Sequence, residues 1–181
     1  MKNFKIDTFF VIFLIGLGIA SRLIPHPWNF TAIGTMALFS GFSFRSNNSL
    51  MLVPFVSLIL SDYLIGFYDG MAYTYIGFFV GMGLSLIYFS KNTSLSFMSR
   101  ILTFSGLSVV SSFLFFLITN FGVWYGSAFY AQNSSGLLAS YIAGLPFLFN
   151  QLTGDLFFGA VAYGCYEYLN GSARQQAKQT V

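Results

Sequence analysis

Residues 101–119 read Ile-Leu-Thr-Phe-Ser-Gly-Leu-Ser-Val-Val-Ser-Ser-Phe-Leu-Phe-Phe-Leu-Ile-Thr, a run without a charged side chain. As an α-helix this run would extend about 28 Å at 1.5 Å per residue, close to the thickness of bilayer hydrocarbon. Its apolar residues are continuous rather than alternating, which favours a helix over a barrel strand. The segment therefore predicts a membrane-spanning helix.

The composition of the whole chain agrees with that prediction. Of 181 residues, 56% are hydrophobic and 7% are charged, whereas soluble domains carry about 25% charged residues. The eight basic residues are spread along the chain, so they indicate no nucleic-acid partner. One cysteine, Cys165, excludes an intrachain disulfide framework. The composition predicts a single membrane domain over residues 1–181, with the lipid bilayer as its solvent.

Five further segments are apolar enough to be read as spans. Together with 101–119 they predict an all-α polytopic membrane bundle of six transmembrane helices. The residues between the last two spans form an aromatic, charge-free stretch, 120–140, which we read as a long loop. Pro146 is then expected in the first turn of the sixth helix, where proline is tolerated. The five segments are 6–24, 30–44, 50–68, 72–90 and 141–169.

The orientation follows from lysine and arginine, which collect on the cytoplasmic side of membrane proteins. With the N-terminus inside, only Arg22 falls outside. The pattern predicts both termini inside, in a bacterial cytoplasmic (inner) membrane. A cleaved signal peptide ending near Gly18 and Ala20 is the alternative, and it would leave five spans. The basic residues on the inner side are Lys2, Lys5, Arg45, Lys91, Arg100, Arg174 and Lys178.

Among the charged residues of the predicted spans, where charge is costly, three lie away from the predicted inner ends of the helices. Arg22 and Asp62 lie toward the outer ends of helices 1 and 3, and Asp155 lies near the middle of helix 6. Arg22 pairing with Asp62 would simply fix helix packing. Alternatively, Asp62 and Asp155 line a polar cavity or bind an ion or proton. Gln151 shares a helix face with Asp155, four residues away.

Aromatic and amide side chains gather at the predicted outer ends of the helices. An interfacial aromatic belt accounts for part of the Trp and Tyr content, but not for the asparagines. Aromatic walls with a few convergent polar groups are typical of a small-molecule pocket. The sequence therefore predicts a substrate-binding site formed by Trp28, Asn29, Asp62, Asn120, Trp124, Tyr125 and Asn150.

Motifs for catalysis are absent from the sequence. Gly81-Met-Gly83 lacks the lysine of a phosphate-binding loop, and His26 is the single histidine. We therefore expect no enzyme activity, no metal and no cofactor. Small residues at near-helical spacing indicate packing faces within the chain or, alternatively, a surface for another membrane subunit. They are Gly16 and Ala20, then Gly77, Gly81 and Ser85, then Ser105, Ser108 and Ser112.

Several stretches resemble an uncharacterised bacterial family of membrane proteins to which a transport role is attributed. The likeness covers roughly residues 22–168 and is carried by the runs 22–41 (beginning Arg-Leu-Ile-Pro-His-Pro-Trp-Asn-Phe), 61–68 (Ser-Asp-Tyr-Leu-Ile-Gly-Phe-Tyr) and 115–124 (ending Thr-Asn-Phe-Gly-Val-Trp). Pro146-Phe147, Asn150 and Gly154-Asp155 fit the same pattern. The architecture also resembles the substrate-binding (S) components of energy-coupling factor (ECF) transporters. That likeness implies vitamin capture at the outer face, with a coupling membrane subunit and ATPases as partners. Gly16 and Ala20 match that family's Ala-x-x-x-Ala pair only in spacing and lie toward the outer half.

Three functions are carried forward as hypotheses. The leading one is a membrane-embedded transport component that binds a small organic nutrient of the vitamin or cofactor class, with energy supplied by partner subunits. Corrinoids are one class that so many aromatics permit. The second is an ion- or proton-coupled carrier that uses Asp62 and Asp155. The third is a non-transporting subunit of a larger membrane complex.

Overall fold

The computed structural model describes residues 8–43, 48–92, 95–126 and 128–179, with side chains described over 10–42, 50–92, 95–126 and 128–165. Within these residues the chain is all-helical, which confirms that part of the sequence analysis, and it contains no strand. A short 3-10 turn over Asn48–Leu52 leads directly into the third helix. The six helices are α1 (Thr8–Leu23), α2 (Ile33–Ser43), α3 (Val53–Ile65), α4 (Met71–Lys91), α5 (Phe97–Gly126) and α6 (Ser134–Gln179).

Helix α2 forms the centre of the bundle. Every described residue from Thr31 to Gly41 is buried, and α2 packs against α3, α4, α5 and α6. A helix that is apolar on all sides needs such an enclosure. The remaining helices pack in pairs around it, α1 against α3, α4 against α5, and α5 against α6.

Serine hydroxyls connect α2 to its neighbours. Ser85 on α4 donates to the carbonyl of Leu38 at 2.6 Å, and Ser40 donates to the carbonyl of Leu50 at 2.6 Å. Gly41 lies where α2 crosses α4, and a Cβ there would sit 2.6 Å from the Leu86 nitrogen. Small residues let helix backbones approach closely enough for such bonds. The small-residue faces of α4 and α5 therefore serve packing within the chain.

The segment read from sequence as a loop, 120–140, is mostly helical, so that prediction is wrong. Helix α5 continues to Gly126 and α6 already begins at Ser134. The aromatic, uncharged residues after Asn120 continue helix α5. Within it, the Asn120 side chain donates to the carbonyl of Phe116 one turn earlier, at 2.8 Å, and the backbone at Gly122 packs against the Tyr73 ring.

Pro146 lies inside α6, twelve residues after its start, and not in the first turn. The earlier start has a local cause. Asn133 caps the helix, because its Oδ1 accepts the Gly136 N–H at 2.9 Å and its carbonyl accepts the Leu137 N–H at 3.0 Å. An asparagine in this position satisfies a backbone donor that would otherwise lack a partner.

Two of the described helices, α4 and α5, are both long and apolar enough to cross a membrane. Helices α1, α2 and α3 are apolar but shorter. Helix α2, with 11 residues, extends about 16 Å, roughly half of the hydrocarbon thickness. The six-span arrangement and its orientation stay predictions; three of the charges that fix the orientation, Lys2, Lys5 and Arg45, lie outside the described residues.

Candidate solute-binding cavity

An ion pair joins α1 to α3 at one end of the bundle. The Arg22 Nη2 and Asp62 Oδ1 atoms are 2.6 Å apart, and the Asp62 side chain is 0% exposed. Arg22 also donates through Nη1 to the Ser61 hydroxyl at 2.6 Å, while the Tyr75 hydroxyl donates to Asp62 Oδ2 at 2.8 Å. The two charges compensate each other, and both carboxylate oxygens of Asp62 are occupied.

A cavity of about 850 Å³ opens at the same end of the bundle and is called the end cavity below. All six helices contribute to its walls, together with the loop between α1 and α2. The volume lies within the range of small-molecule sites, about 300–1,000 Å³. Its aromatic lining includes Trp28, Phe67, Tyr68, Phe78, Phe115, Tyr130 and Phe147.

The loop between α1 and α2 brings Asn29 to the cavity in a strained backbone conformation. Asn29 has φ +66°, and among the described residues other than glycine it alone has positive φ. Its carbonyl accepts the Thr31 N–H at 3.0 Å. The left-handed region costs an ordinary residue about 1–2 kcal/mol, and asparagine tolerates it better than most. Such strain is concentrated at functional sites.

The opposite wall is built where α5 and α6 cross. Asn120 and Gly144 face each other so closely that a Cβ on Gly144 would overlap the Asn120 amide. Ser140 donates to the Asn120 carbonyl at 3.3 Å, and both side chains line the cavity. The crossing therefore fixes the Asn120 amide at the cavity surface.

Gln151 closes the bottom of the end cavity and connects it to a buried carboxyl group. Gln151 lines the cavity, and its Nε2 donates to Asp155 Oδ2 at 2.9 Å. The Ser112 hydroxyl donates to the same oxygen at 2.9 Å. Thr35 on α2 donates to the Asp155 backbone carbonyl at 2.8 Å. The four side chains form a polar cluster between α2, α5 and α6.

Five of the ten residues named from sequence line the end cavity, and three of these five belong to the predicted substrate-binding set of seven. Trp28, Asn29 and Asn120 line it, as do Arg22 and Gln151. Trp28 is 78% exposed and its ring meets Phe147 edge-on, with 6.5 Å between the ring centres. Asp62 does not line the cavity itself; it lies behind Arg22 as the partner of the guanidinium.

Trp124, Tyr125 and Asn150 are not among the residues that line the cavity. Because α5 continues through Gly126, Trp124 points toward residues 128–133, where its Nε1 donates to the Ala131 carbonyl at 2.9 Å. Tyr125 is exposed and stacks on Phe121. Asn150 is one residue from Gln151, which places it about 100° around the helix from the cavity face.

Several lining residues were not singled out from sequence. On α6 they follow a helical period, Ser140, Ala143, Gly144 and Phe147, which continues to Gln151. Reading 134–140 as a loop concealed the start of this series. A search for a 3.6-residue period of small and polar residues through 140–151 would have found it.

The described ranges contain no cluster of side chains that could bind a metal ion. No three His, Cys, Asp or Glu residues come together there. The polar side chains that line the cavity carry amides, hydroxyls, the His26 imidazole and a compensated guanidinium, which suit hydrogen bonding to an organic solute.

Together the fold and the cavity define a class: an all-helical bundle with apolar exposed surfaces and a ligand-sized polar and aromatic hollow at one end. The chain belongs to a family of unknown function, DUF6580, whose sequence profile matches residues 2–178. No curated protein and no solved structure matches the chain. The match agrees with the resemblance to an uncharacterised family and adds no support for the likeness to S components of ECF transporters.

Proposed function

We propose that this protein is a membrane-embedded component of a bacterial inner-membrane transport system that captures a small organic nutrient from the outer face. The end cavity carries this proposal. The ligand belongs to the vitamin or cofactor class, with a flat ring that Trp28 and Phe147 contact and polar edges that Asn29, Asn120 and Gln151 bind.

The charges that line the cavity indicate the net charge of the ligand it would bind. Arg22 is the charged residue of the lining, and Asp62 compensates it at 2.6 Å. A ligand with a net charge would find no uncompensated opposite charge among the lining residues, and removing a charge from water without such a partner is costly. The cavity therefore favours a solute that is neutral overall and rich in hydrogen-bonding groups.

The distribution of polarity supports placement in lipid, and the proposal keeps the six spans and the inside position of both termini from the sequence analysis. Many serines and the carboxyl groups of Asp62 and Asp155 are buried in the bundle, whereas large apolar side chains cover its outside. A soluble protein rarely exposes large contiguous apolar areas. The exposed apolar residues include Ile59 on α3, Phe79 on α4, and Leu102, Val109 and Phe113 on α5.

Energy for uptake would come from partner subunits, as in the S components that the architecture resembles. On α1, Gly16 leaves space for a partner helix to approach, because no described atom lies within 4 Å of a Cβ built there, although the same is true of Gly83 on α4. By contrast, Gly77 and Gly81 on α4 pack against Phe115 and Ser111. These inward faces do not support the alternative of a purely structural subunit assembled through them.

Binding is tested on purified protein with a panel of water-soluble vitamins and cofactors, corrinoids included. A ligand present at 100 times its Kd is expected to stabilise the protein by about 2.7 kcal/mol, seen as a rise in melting temperature. The Asn29→Gly variant is expected to keep its fold, because glycine adopts positive φ freely, and to lose the ligand-induced rise.

The matched control is Asn150→Ala, a variant of the same residue type just outside the cavity. It is expected to retain the full rise. Absence of any ligand-dependent shift across the panel, or an equal loss of the shift in both variants, contradicts a binding site in the end cavity.

A further inference from the structure

A carboxyl group lies below the end cavity and has no role in the proposed binding of solute. The Asp155 side chain is 1% exposed, enclosed by α2 and α5. A Cβ at Gly34 would overlap its Oδ1 and would lie 2.6 Å from the Gln151 Nε2. The glycine on α2 thus leaves room for this carboxyl group.

No described cation compensates Asp155. Helix α2 contains no titratable side chain. On α5, Arg100 and Tyr125 lie 12 and 13 residues from Ser112, which is about 18–20 Å along a helix. Arg22 is engaged by Asp62. The other titratable groups on the surrounding elements with described side chains are His26 in the loop before α2 and Tyr141, Tyr163 and Cys165 on α6.

The hydrogen bonds to Asp155 are unequally divided between its two oxygens. Ser112 and Gln151 both donate to Oδ2, whereas Oδ1 accepts no hydrogen bond from the described residues. An ionised carboxylate accepts at both oxygens, while a protonated one has a single carbonyl-type oxygen and a hydroxyl. A buried charge without a partner also costs several kcal/mol, roughly. The arrangement fits the neutral acid.

Gln151 provides the connection between Asp155 and the cavity. Its side chain lines the cavity and donates to the carboxyl group, so a single side chain separates Asp155 from the solute. Movement of Gln151 toward a bound solute would remove one donor from Oδ2 and open the carboxyl group to cavity water.

We propose that Asp155 is a proton-binding site that exchanges its proton with the end cavity past Gln151, so that occupation of the cavity and protonation are linked. In the exchange, a proton leaves hydronium in the cavity and bonds to Asp155 Oδ1, which gives a neutral carboxylic acid and water. The link to the solute rests on the proposed function. The proton site itself does not.

Infrared difference spectroscopy of the purified protein in detergent tests this without any solute. The wild type is expected to show a carboxylic-acid C=O band at neutral pH that is lost at alkaline pH and absent in Asp155→Asn. The control, Asp69→Asn, removes an exposed carboxylate before α4 and is expected to leave the band unchanged. Asparagine has the shape of the neutral acid, so Asp155→Asn is expected to melt at the wild-type temperature.

Two further measurements separate a proton site from other roles. In heavy water the band of the wild type shifts as the acid proton exchanges, and Gln151→Leu is expected to slow that shift. A band that persists in Asp155→Asn, or no band at neutral pH, overturns the proposal. Loss of the band on adding sodium at constant pH also overturns it and indicates a cation site instead.

If no vitamin or cofactor shifts the melting temperature but the Asp155 band is present, the proposed binding of a solute is rejected and the proton site is retained. A missing band with a positive panel would reject only the proton site.

Discussion

Replacement of Arg22 by methionine is expected to lower the free energy of unfolding by about 3–5 kcal/mol, because it leaves the Asp62 carboxylate buried without its counter-ion. Asp62 is fully buried and its remaining contact is the Tyr75 hydroxyl, which cannot supply a positive charge. Unfolding of the purified protein in mixed detergent, followed by far-ultraviolet circular dichroism, measures the change.

The double variant Arg22→Met with Asp62→Asn is expected to recover a large part of the loss, since asparagine is neutral and still accepts the Tyr75 hydroxyl. Lys91→Met, at the exposed end of α4, is the control for loss of one positive charge. An Arg22→Met cost no greater than that of Lys91→Met would show that the ion pair does not stabilise the bundle.

A methyl group added at Gly41 is expected to produce the second large effect. In Gly41→Ala the new Cβ would lie 2.6 Å from both the Leu86 backbone nitrogen and the Ser85 Cβ. Neither atom moves aside without a shift of α4, so we expect a loss of about 1–3 kcal/mol or more, as for overpacked cores. The same unfolding measurement applies.

Gly83→Ala is the matched control, because Gly83 is also helical and no described atom lies within 4 Å of a Cβ built there. Alanine is favoured over glycine in a helix by up to about 1 kcal/mol, so this variant is expected to be neutral or slightly stabilised. If Gly41→Ala behaved in the same way, the crossing of α2 and α4 would be looser than the structure shows.

Helix positions were predictable where apolar runs end at charges or turn residues. Helix α4, over Met71–Lys91, differs by one residue at each end from the span read from sequence. The stretch after Asn120 gives conflicting signals: its glycines and asparagine favour turns, but it has no charge and many aromatic side chains, so composition alone does not distinguish a loop from a helix there. The contacts that decide it, such as Gly122 against Tyr73, join distant parts of the chain.

The candidate site was predictable in part, because the ends of the apolar runs indicate which residues lie at the same end of the bundle. Asn29 and Asn120 follow apolar segments whose ends meet at one side of a bundle, so alternation of helix direction brings them together. Trp124 and Asn150 could not be placed, because the cavity face depends on where α5 ends and on the rotation of α6. Pairing of Arg22 with Asp62 was one of two readings of those charges, and sequence offered no means to choose.

The enclosure of α2 has a consequence for biosynthesis. This helix leaves the ribosome early, but its hydrogen-bond partners are synthesised at different times. Ser40 donates to Leu50, ten residues later in the chain, whereas Thr35 donates to Asp155, 120 residues later. Until α6 is synthesised, the central helix has an unfilled side. The native bundle is therefore completed only when α6 has been synthesised. A nascent chain that ends before α6 would leave one side of α2 exposed to quality-control proteases.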